Sequence, residues 1–236
     1  NRFMCPLPAT TTPLMPMNWK RLLNSGRRHL YLQPVESLRQ GFSKDELLTI
    51  ASLVEKYDTF AVIDEVYEHI VYEPTEYTYF STLPGMYERT ISCGSLSKTY
   101  SITGWRLGYI FAPPVVTDAI KKLHVYLTIS APSPLQEAAV TGLHFGLDYY
   151  QGLRELYRKK RDFVIDSLDA IGITHNVPQG AFYMLLDIGP TAMMTMKPLP
   201  VFMPKNTAWP SFRQSTFFKE PVHHWQDYSL PSAMKR

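Results

Sequence analysis

The chain has 236 residues, of which 45% are hydrophobic and 19% are charged, a composition typical of a soluble globular protein with one or two domains. No apolar run approaches the roughly 18 residues that a membrane-spanning helix needs, so we expect no membrane partner. Cys5 and Cys93 give neither a disulfide framework nor metal-ligand spacing, and the pair His223 and His224 lacks a third ligand. We therefore expect no metal and a reducing compartment, with the cytoplasm as the default.

Charge and composition divide the chain into a middle and two ends. The net charge of +3 combines −6 over residues 41–189 with +9 over the ends, which also hold 12 of the 19 prolines and 8 of the 10 methionines. A break of this kind divides the chain into segments that differ in charge and in amino-acid composition. Together with Asn1 in place of an initiating methionine, it suggests a fragment whose ends come from altered splicing, a shifted reading frame or an erroneous gene prediction.

Residues 1–40 predict an irregular segment, because prolines interrupt any helical or strand period. A basic cluster lies at Arg21, Arg27, Arg28 and His29, and its functional interpretation is an anionic surface or a nucleic acid. No aromatic interleaving or recognition motif accompanies these charges. An unstructured tail is therefore favoured, and no nucleic acid is expected.

The first regular elements are predicted soon after this segment. Ser43 and Glu46 form a capping box, and apolar residues follow at helical spacing, which predicts an amphipathic helix from Ser43 to Tyr57. The unbroken apolar run at 60–63 is typical of a buried parallel strand, and Asp64 follows at its C-terminal end. Because ligands of open α/β sheets bind outside such strand ends, Asp64 is a candidate ligand-binding carboxylate.

A lysine at position 98 stands in a run of small hydroxyl residues, S-C-G-S-L-S-K-T-Y-S from Ser92, and Arg106 follows eight residues later. Hydroxyls, backbone N–H groups and a guanidinium at this spacing favour a phosphate-bearing ligand. A nucleotide-binding P-loop is disfavoured because serines at 92 and 97 replace its two glycines. The alternative is a lysine that forms a Schiff base with pyridoxal phosphate, whose ring nitrogen would pair with Asp64.

Three ordered motifs resemble the class I and II aminotransferases, which are fold-type I pyridoxal-phosphate enzymes. They are D-E-V-Y at 64–67, S-L-S-K at 95–98 and G-W-R-L-G at 104–108, and the connection L-P-G-M-Y-E-R-T at 83–90 resembles the branch of aspartate, kynurenine and methionine aminotransferases. The resemblance implies that Lys98 forms the Schiff base. It also implies a set of cofactor-binding residues: Asp64 for the pyridinium nitrogen, Tyr67 for the phenolic oxygen, and Ser95, Ser97 and Arg106 for the phosphate.

The remaining pattern of strands and helices predicts an α/β fold with a mostly parallel sheet sandwiched by helices. Strands are expected at 90–93 and 107–112, followed by helices at 116–127, 133–145 and 148–171. The basic run R-K-K-R at 158–161 is interpreted as a solvated helix face. A turn at Pro178 leads into a strand ending at Asp187, which resembles the start of the family's small α+β domain.

These elements predict four segments. Residues 1–40 and 190–236 do not match the family and are expected to be irregular, residues 41–150 form a partial cofactor-binding large domain, and residues 151–189 form an interdomain helix and the start of the small domain. The family's asparagine-containing turn is replaced by P-V-E-S-L-R-Q-G at 34–41. Neither Arg213 nor Arg236 stands in the context of the family's substrate-carboxylate arginine.

The function that the resemblance implies is transfer of an amino group from an L-amino acid to a 2-oxo acid, carried out by homodimers in intact relatives. This chemistry needs Lys98 as a neutral amine, so its pKa is expected to fall through the charge of Arg106 and desolvation. Two alternatives stay open. One is a carbon–sulfur lyase or a synthase on the same scaffold, since such enzymes share the lysine motif, and the other is a catalytically inactive truncated or frame-altered product.

Overall fold

The computed structural model describes residues 29–32, 41–187 and 225–229, and the chain divides into two compact units. Of the described residues, the larger unit contains 29–32, 41–156 and Gln179–Ala181, and the smaller contains Tyr157–Pro178, 182–187 and 225–229. Within the described ranges, no helix combines the length and the hydropathy that a membrane crossing requires.

The larger unit is built on a four-stranded sheet with helices between and after its strands. The strands are β1 (His29–Leu32), β2 (Phe60–Asp64), β3 (Thr90–Ser95) and β4 (Gly108–Phe111), in that spatial order. The helices are α1 (Lys44–Lys56), α2 (Leu96–Thr99), α3 (Pro114–Thr128), α4 (Ser133–Leu143) and α5 (Leu147–Ala170), the last of which continues into the smaller unit. Single 3₁₀ turns lie at Phe80–Thr82, Tyr87–Arg89 and Thr103–Trp105.

The strand pairing brings the ends of three strands to one side of the sheet. β1 pairs with β2 and β2 with β3 in parallel, and β4 returns antiparallel to β3, which confirms the mostly parallel sheet. Asp64 is opposite Cys93, and Ser95 is opposite Gly108. The C-terminal ends of β2 and β3 and the first residue of β4 therefore lie side by side.

Helix α1 begins with the capping box that the sequence predicts. The backbone N–H of Ser43 donates to Glu46 Oε2 at 2.8 Å, and the backbone N–H of Glu46 donates to Ser43 Oγ at 3.2 Å. These bonds satisfy two of the N–H groups that a helix start leaves unpaired. One face of α1 is buried, through Leu47, Ile50, Ala51 and Val54.

Replacing Ser43 with alanine is expected to lower the free energy of unfolding by about 1 kcal/mol, because the side-chain acceptor of the cap is lost. Ser52→Ala is the matched control, since this exposed serine in the same helix donates only to the Thr49 carbonyl. Urea unfolding of both variants measures the difference. Equal losses in the two variants would contradict the assigned role of the cap.

Strand β1 lies inside the segment that the sequence predicts to be irregular, so that prediction was wrong for residues 29–32. Leu30 and Leu32 are buried in the same core cluster as the apolar face of α1 and the β2 residues Ala61 and Ile63. Only four residues long, β1 has no period of its own that could be recognised. Its conformation is fixed by parallel pairing with β2 and by this burial.

The smaller unit contains a two-stranded antiparallel sheet, formed by β5 (Tyr183–Asp187) and β6 (Trp225–Ser229). Its core consists of Val164, Leu168, Ile173 and Met184. The strand predicted to end at Asp187 is confirmed as β5. The irregular segment predicted for 190–236 was wrong at 225–229, because these residues pair with a strand distant in sequence.

The basic run at 158–161 is only partly a solvated face, which corrects the prediction. Arg158 and Lys159 are exposed, but Lys160 is buried, with its Nζ 5.0 Å from the centre of the Tyr157 ring. Arg161 donates to the Pro178 carbonyl at 3.3 Å. These two cations are part of the packing of the smaller unit, since the long aliphatic stems of such side chains can cover apolar surface.

Candidate functional site

Strand β2 delivers the first group of predicted site residues. Asp64, its last residue, is half-buried, and its Oδ1 accepts the backbone N–H of Val66 at 3.2 Å. The backbone N–H of Glu65, the residue between Asp64 and Val66, donates to the Cys93 carbonyl at 2.9 Å and connects the turn to β3. Tyr67 follows in this turn with 7% exposure. Asp64 and Tyr67 are therefore held on a short, anchored segment at the end of β2.

Strand β3 delivers the second group through a serine that caps a very short helix. Ser95 Oγ accepts the backbone N–H of Ser97 at 3.2 Å and donates to the Leu107 carbonyl at 3.3 Å. Ser97 is buried. The cap starts α2, which carries Lys98. Ser95 thus connects the Lys98 turn to the segment that enters β4.

Lys98 is half-buried, and its environment favours the neutral amine. Burial lowers the pKa of Lys98, and the guanidinium of Arg106 lowers it further. The direction and both causes agree with the expectation from the sequence, although burial is the larger cause. A lysine with a lowered pKa is a better nucleophile at neutral pH than an exposed lysine.

Arg106 follows the 3₁₀ turn at Thr103–Trp105 and has a left-handed backbone conformation with φ of 58°. Its NH1 group donates to the Thr103 carbonyl at 2.9 Å, and the side chain is otherwise exposed. A non-glycine residue in this conformation costs roughly 1 kcal/mol or more. The exposed guanidinium of Arg106 is close enough to Lys98 for its charge to act on the amine, and it is accessible to an anion.

A glycine in β3 makes room for a tyrosine that crosses the strand. A methyl group on Gly94 would overlap the ring of Tyr109, its partner in β4. Tyr109 cannot shift freely, because its hydroxyl donates to Glu68 Oε1 at 2.7 Å. Gly94 therefore determines how closely β4 approaches the strand that precedes Lys98.

Gly94→Ala is expected to lower the free energy of unfolding by about 1–3 kcal/mol, the usual cost of overpacking a filled space. Gly104→Ala is the matched control, since nothing lies within 4 Å of an added methyl group at that position. Urea unfolding of the two variants, with far-ultraviolet circular dichroism as the signal, measures both changes. A Gly94→Ala variant as stable as Gly104→Ala would contradict the overlap.

A buried acid–tyrosine cluster lies next to this edge and was missed by the sequence analysis. Glu65 and Glu68 have only 4% and 8% exposure, and Glu68 accepts the hydroxyls of Tyr79 and Tyr109, both at 2.7 Å. Burial raises the pKa of Glu65 to about 7, assisted by the charges of Glu68 and Asp64 and opposed by a hydrogen bond from Ser92. Glu65 and Glu68 flank Tyr67 in the D-E-V-Y-E run, but nothing in that run indicates their tyrosine partners.

The same neighbourhood contains a cavity of about 800 Å³, lined among others by Tyr100, Tyr109 and Tyr150. Ser95 is the only predicted site residue that lines it, although the structure describes all six. Asp64, Lys98 and Arg106 lie outside its lining. The cavity is consequently adjacent to the predicted cofactor residues rather than formed by them.

Some predictions concern residues outside the described ranges. They are the cluster Arg21, Arg27 and Arg28, the replaced turn before residue 41, the histidine pair at 223 and 224, and the two arginines Arg213 and Arg236.

Comparison with known sequences identifies the family. The sequence model of "Aminotransferase class I and II" matches residues 40–200. Kynurenine–oxoglutarate transaminase of Dictyostelium discoideum is 41% identical over 150 residues, which are 62% of this chain and 34% of that protein. Kynurenine–oxoglutarate transaminase 1 of Mus musculus is 30% identical over 216 residues, 84% of this chain and 51% of that protein.

Comparison with solved structures supports the same conclusion. The aromatic aminotransferase of Pyrococcus horikoshii OT3 is 28% identical and superposes with a TM-score of 0.77, covering 91% of this chain and 58% of that protein. The larger unit is thus an α/β domain of the fold-type I aminotransferase kind. The chain belongs to the class I and II aminotransferase family, and it spans about a third to a half of the length of the two curated relatives described above.

Members of this family depend on pyridoxal phosphate, and the residues present fit that cofactor. A carboxylate at the end of β2 suits a protonated ring nitrogen. The exposed guanidinium of Arg106 suits a phosphate group, and the Ser95 hydroxyl would do so after turning from the Leu107 carbonyl toward the phosphate. Lys98 follows Ser95 and precedes Arg106 in the chain, and its amine has a lowered pKa.

Proposed function

We propose that this chain is a pyridoxal-phosphate-dependent aminotransferase polypeptide that binds the cofactor covalently through Lys98 and transfers an amino group between an L-amino acid and a 2-oxo acid. The observation that carries the proposal is the Lys98 turn. It is capped by Ser95, has Arg106 beside it, and follows the strand that pairs with the end of β2 at Asp64.

Lys98 has two tasks in this proposal. Its amine would form the covalent link to the cofactor, and burial together with the charge of Arg106 increases the fraction of Lys98 in the neutral, nucleophilic form. Whenever Lys98 is not linked to the cofactor, its Nζ would serve as the base for the proton on the substrate Cα. Pyridoxal phosphate, when bound, supplies the aldehyde and an electron-withdrawing ring.

The other predicted residues orient the cofactor. Asp64 would accept a hydrogen bond from the ring N–H and so favour the protonated ring, while the phenol of Tyr67 would donate to the ring oxygen. Ser95 and Arg106 bind phosphate oxygens, with a charge-assisted bond from the guanidinium. Ser97 is the remaining predicted phosphate ligand, and like Tyr67 it is buried.

The substrates are proposed at the level of chemical class. Relatives include transaminases named for kynurenine with oxoglutarate and for aspartate, so an L-amino acid and a 2-oxo acid are the expected pair. We also propose a homodimer and a cytoplasmic location; the latter is supported by the two cysteines in 236 residues. The lyase alternative has no specific support, since the relatives described are transaminases.

An inactive product is the alternative against which the proposal is tested. It predicts that Lys98 has no special reactivity toward the cofactor. The aminotransferase proposal predicts a single reactive lysine. The two are therefore separated by cofactor binding before any turnover is measured.

The test is a titration of the purified chain with pyridoxal phosphate, followed by borohydride reduction and peptide mapping. The proposal expects a shift of the cofactor absorbance to longer wavelength and a reduced label concentrated on Lys98. Exposed lysines such as Lys121 and Lys122 in α3 provide the internal comparison. A label spread evenly over these lysines and Lys98 would refute the proposal. Once Lys98 is labelled, formation of a keto acid without release of ammonia or a thiol distinguishes transamination from a lyase.

A further inference from the structure

The peptide carbonyls on both sides of Lys98 accept hydroxyl groups from outside the helix that carries it. The Thr103 hydroxyl donates to the Ser97 carbonyl at 3.2 Å. The Tyr149 hydroxyl, from the first turn of α5, donates to the Thr99 carbonyl at 2.8 Å. Neither residue belongs to the motifs that the sequence analysis connects with the cofactor.

These two bonds are important because α2 is only four residues long. Its end is closed by one backbone bond, from the Tyr100 N–H to the Leu96 carbonyl at 3.2 Å. A single turn has little stability of its own, and the last carbonyls of a helix need other partners. The hydroxyls of Thr103 and Tyr149 supply partners for the carbonyls next to Lys98.

Both donors are themselves held in place. The carbonyl of Thr103 accepts the Arg106 NH1 group at 2.9 Å, so Thr103 joins the Lys98 turn to Arg106. The ring of Tyr149 stacks on that of Tyr100 with centres 5.8 Å apart, and the ring of Phe145 lies 4.6 Å away. A fixed donor restrains its acceptor more than a mobile one does.

We propose that Thr103 and Tyr149 are positioning residues that fix the backbone on both sides of Lys98 and thereby set the position and reactivity of its amine. This inference rests on the proposed function for the identity of the reaction, but not for the contacts. Neither side chain is assigned a contact with the cofactor. Their effect is transmitted through the carbonyls of Ser97 and Thr99.

The experiment compares Thr103→Val and Tyr149→Phe with Thr103→Ser, which keeps the hydroxyl. Thr117→Val is the matched control, because the Thr117 hydroxyl also donates to a backbone carbonyl, that of Ala112 at 3.0 Å, but in α3. The first readout needs no cofactor. Competitive acetylation by trace acetic anhydride reports the pH-dependent reactivity of Lys98 relative to the exposed Lys121.

We expect the acetylation profile of Lys98 to move toward that of Lys121 in Thr103→Val and Tyr149→Phe and to stay unchanged in Thr103→Ser and Thr117→Val. The second readout is the affinity for pyridoxal phosphate. It is expected to fall about fivefold for each deleted hydroxyl, the factor that corresponds to one hydrogen bond of ordinary net strength.

Unchanged acetylation profiles in both hydroxyl-deleting variants would overturn the inference, as would an equal change in Thr117→Val. A global loss of folding in Thr103→Val, seen by circular dichroism, leaves Tyr149→Phe and Thr103→Ser as the deciding variants. If the chain binds no cofactor, the proposed function fails, while the acetylation profiles still test the positioning of Lys98.

Discussion

Lys98→Ala is expected to abolish covalent attachment of pyridoxal phosphate, so that borohydride fixes no label on the peptide that contains residue 98. Alanine has no amine, and no other lysine in the described residues shares the same capped turn beside Arg106. Where turnover of the unmodified chain is measurable, it should fall by about 10²–10⁴-fold, the contribution of one positioned acid–base group.

The controls for this variant separate attachment from folding. Lys121→Ala removes an exposed lysine from α3 and should leave attachment unchanged. Lys98→Arg keeps a cation but removes the nucleophile, so it should behave like Lys98→Ala in the labelling experiment. Because burial opposes the charged form of Lys98, the urea midpoint of Lys98→Ala should equal or slightly exceed that of the unmodified chain. An absorbance shift that persists in Lys98→Ala would show that another lysine binds the cofactor.

Local chemistry explains which parts of the fold the sequence predicts well. The α1 start is encoded by two residues three positions apart, and both of their hydrogen bonds form. The apolar run of β2 needs no partner to be recognised, and Asp64 follows it where the chain leaves the sheet. The Lys98 turn is likewise local, since Ser95 caps the helix that Lys98 belongs to. The positions of Asp64 and Ser95 at one end of the sheet follow from these elements once the strands pair.

Features that depend on distant partners are the ones that the sequence did not indicate. Strand β1 is four residues long and becomes recognisable only through its pairing with β2. Strand β6 pairs with β5 across a long intervening segment. Burial of Lys160 against Tyr157 reverses the usual exposure of a basic run, because an aromatic ring and the aliphatic stem of the lysine pack together.

The acid–tyrosine cluster shows the same limit within the site. Glu68 is 41 residues from Tyr109 and 11 from Tyr79, so no periodicity connects the three. The contact between Glu68 and Tyr109 requires β4 to lie against β3, and this close approach requires a glycine at position 94. Glu65 directly follows Asp64 in the chain, and the charge of Asp64 contributes to the raised pKa of Glu65. The acid that is expected to bind the cofactor and the acid that destabilises the fold at neutral pH are therefore adjacent.

Glu65→Gln is expected to remove a pH dependence of stability between about pH 4.5 and pH 7. The pKa of Glu65 is about 7 in the folded chain, against 4.5 for an unperturbed glutamate, so in this interval the folded chain keeps a proton that the unfolded chain releases. Stability then falls as the pH rises through the interval and is lowest above it. The difference amounts to up to about 3 kcal/mol, since each pKa unit corresponds to about 1.36 kcal/mol.

The measurement is urea unfolding of the unmodified chain, Glu65→Gln and the exposed control Glu88→Gln at pH 5 and at pH 8. Glutamine is neutral at both values, so the Glu65→Gln variant should gain stability relative to the unmodified chain on going from pH 5 to pH 8. Glu88→Gln should keep the pH dependence of the unmodified chain. In the structure, Glu65 Oε1 has no hydrogen-bond partner among the described residues, so ionisation at this position is poorly compensated. Parallel pH profiles for Glu65→Gln and the unmodified chain would show that Glu65 titrates normally and that its burial is relieved in solution.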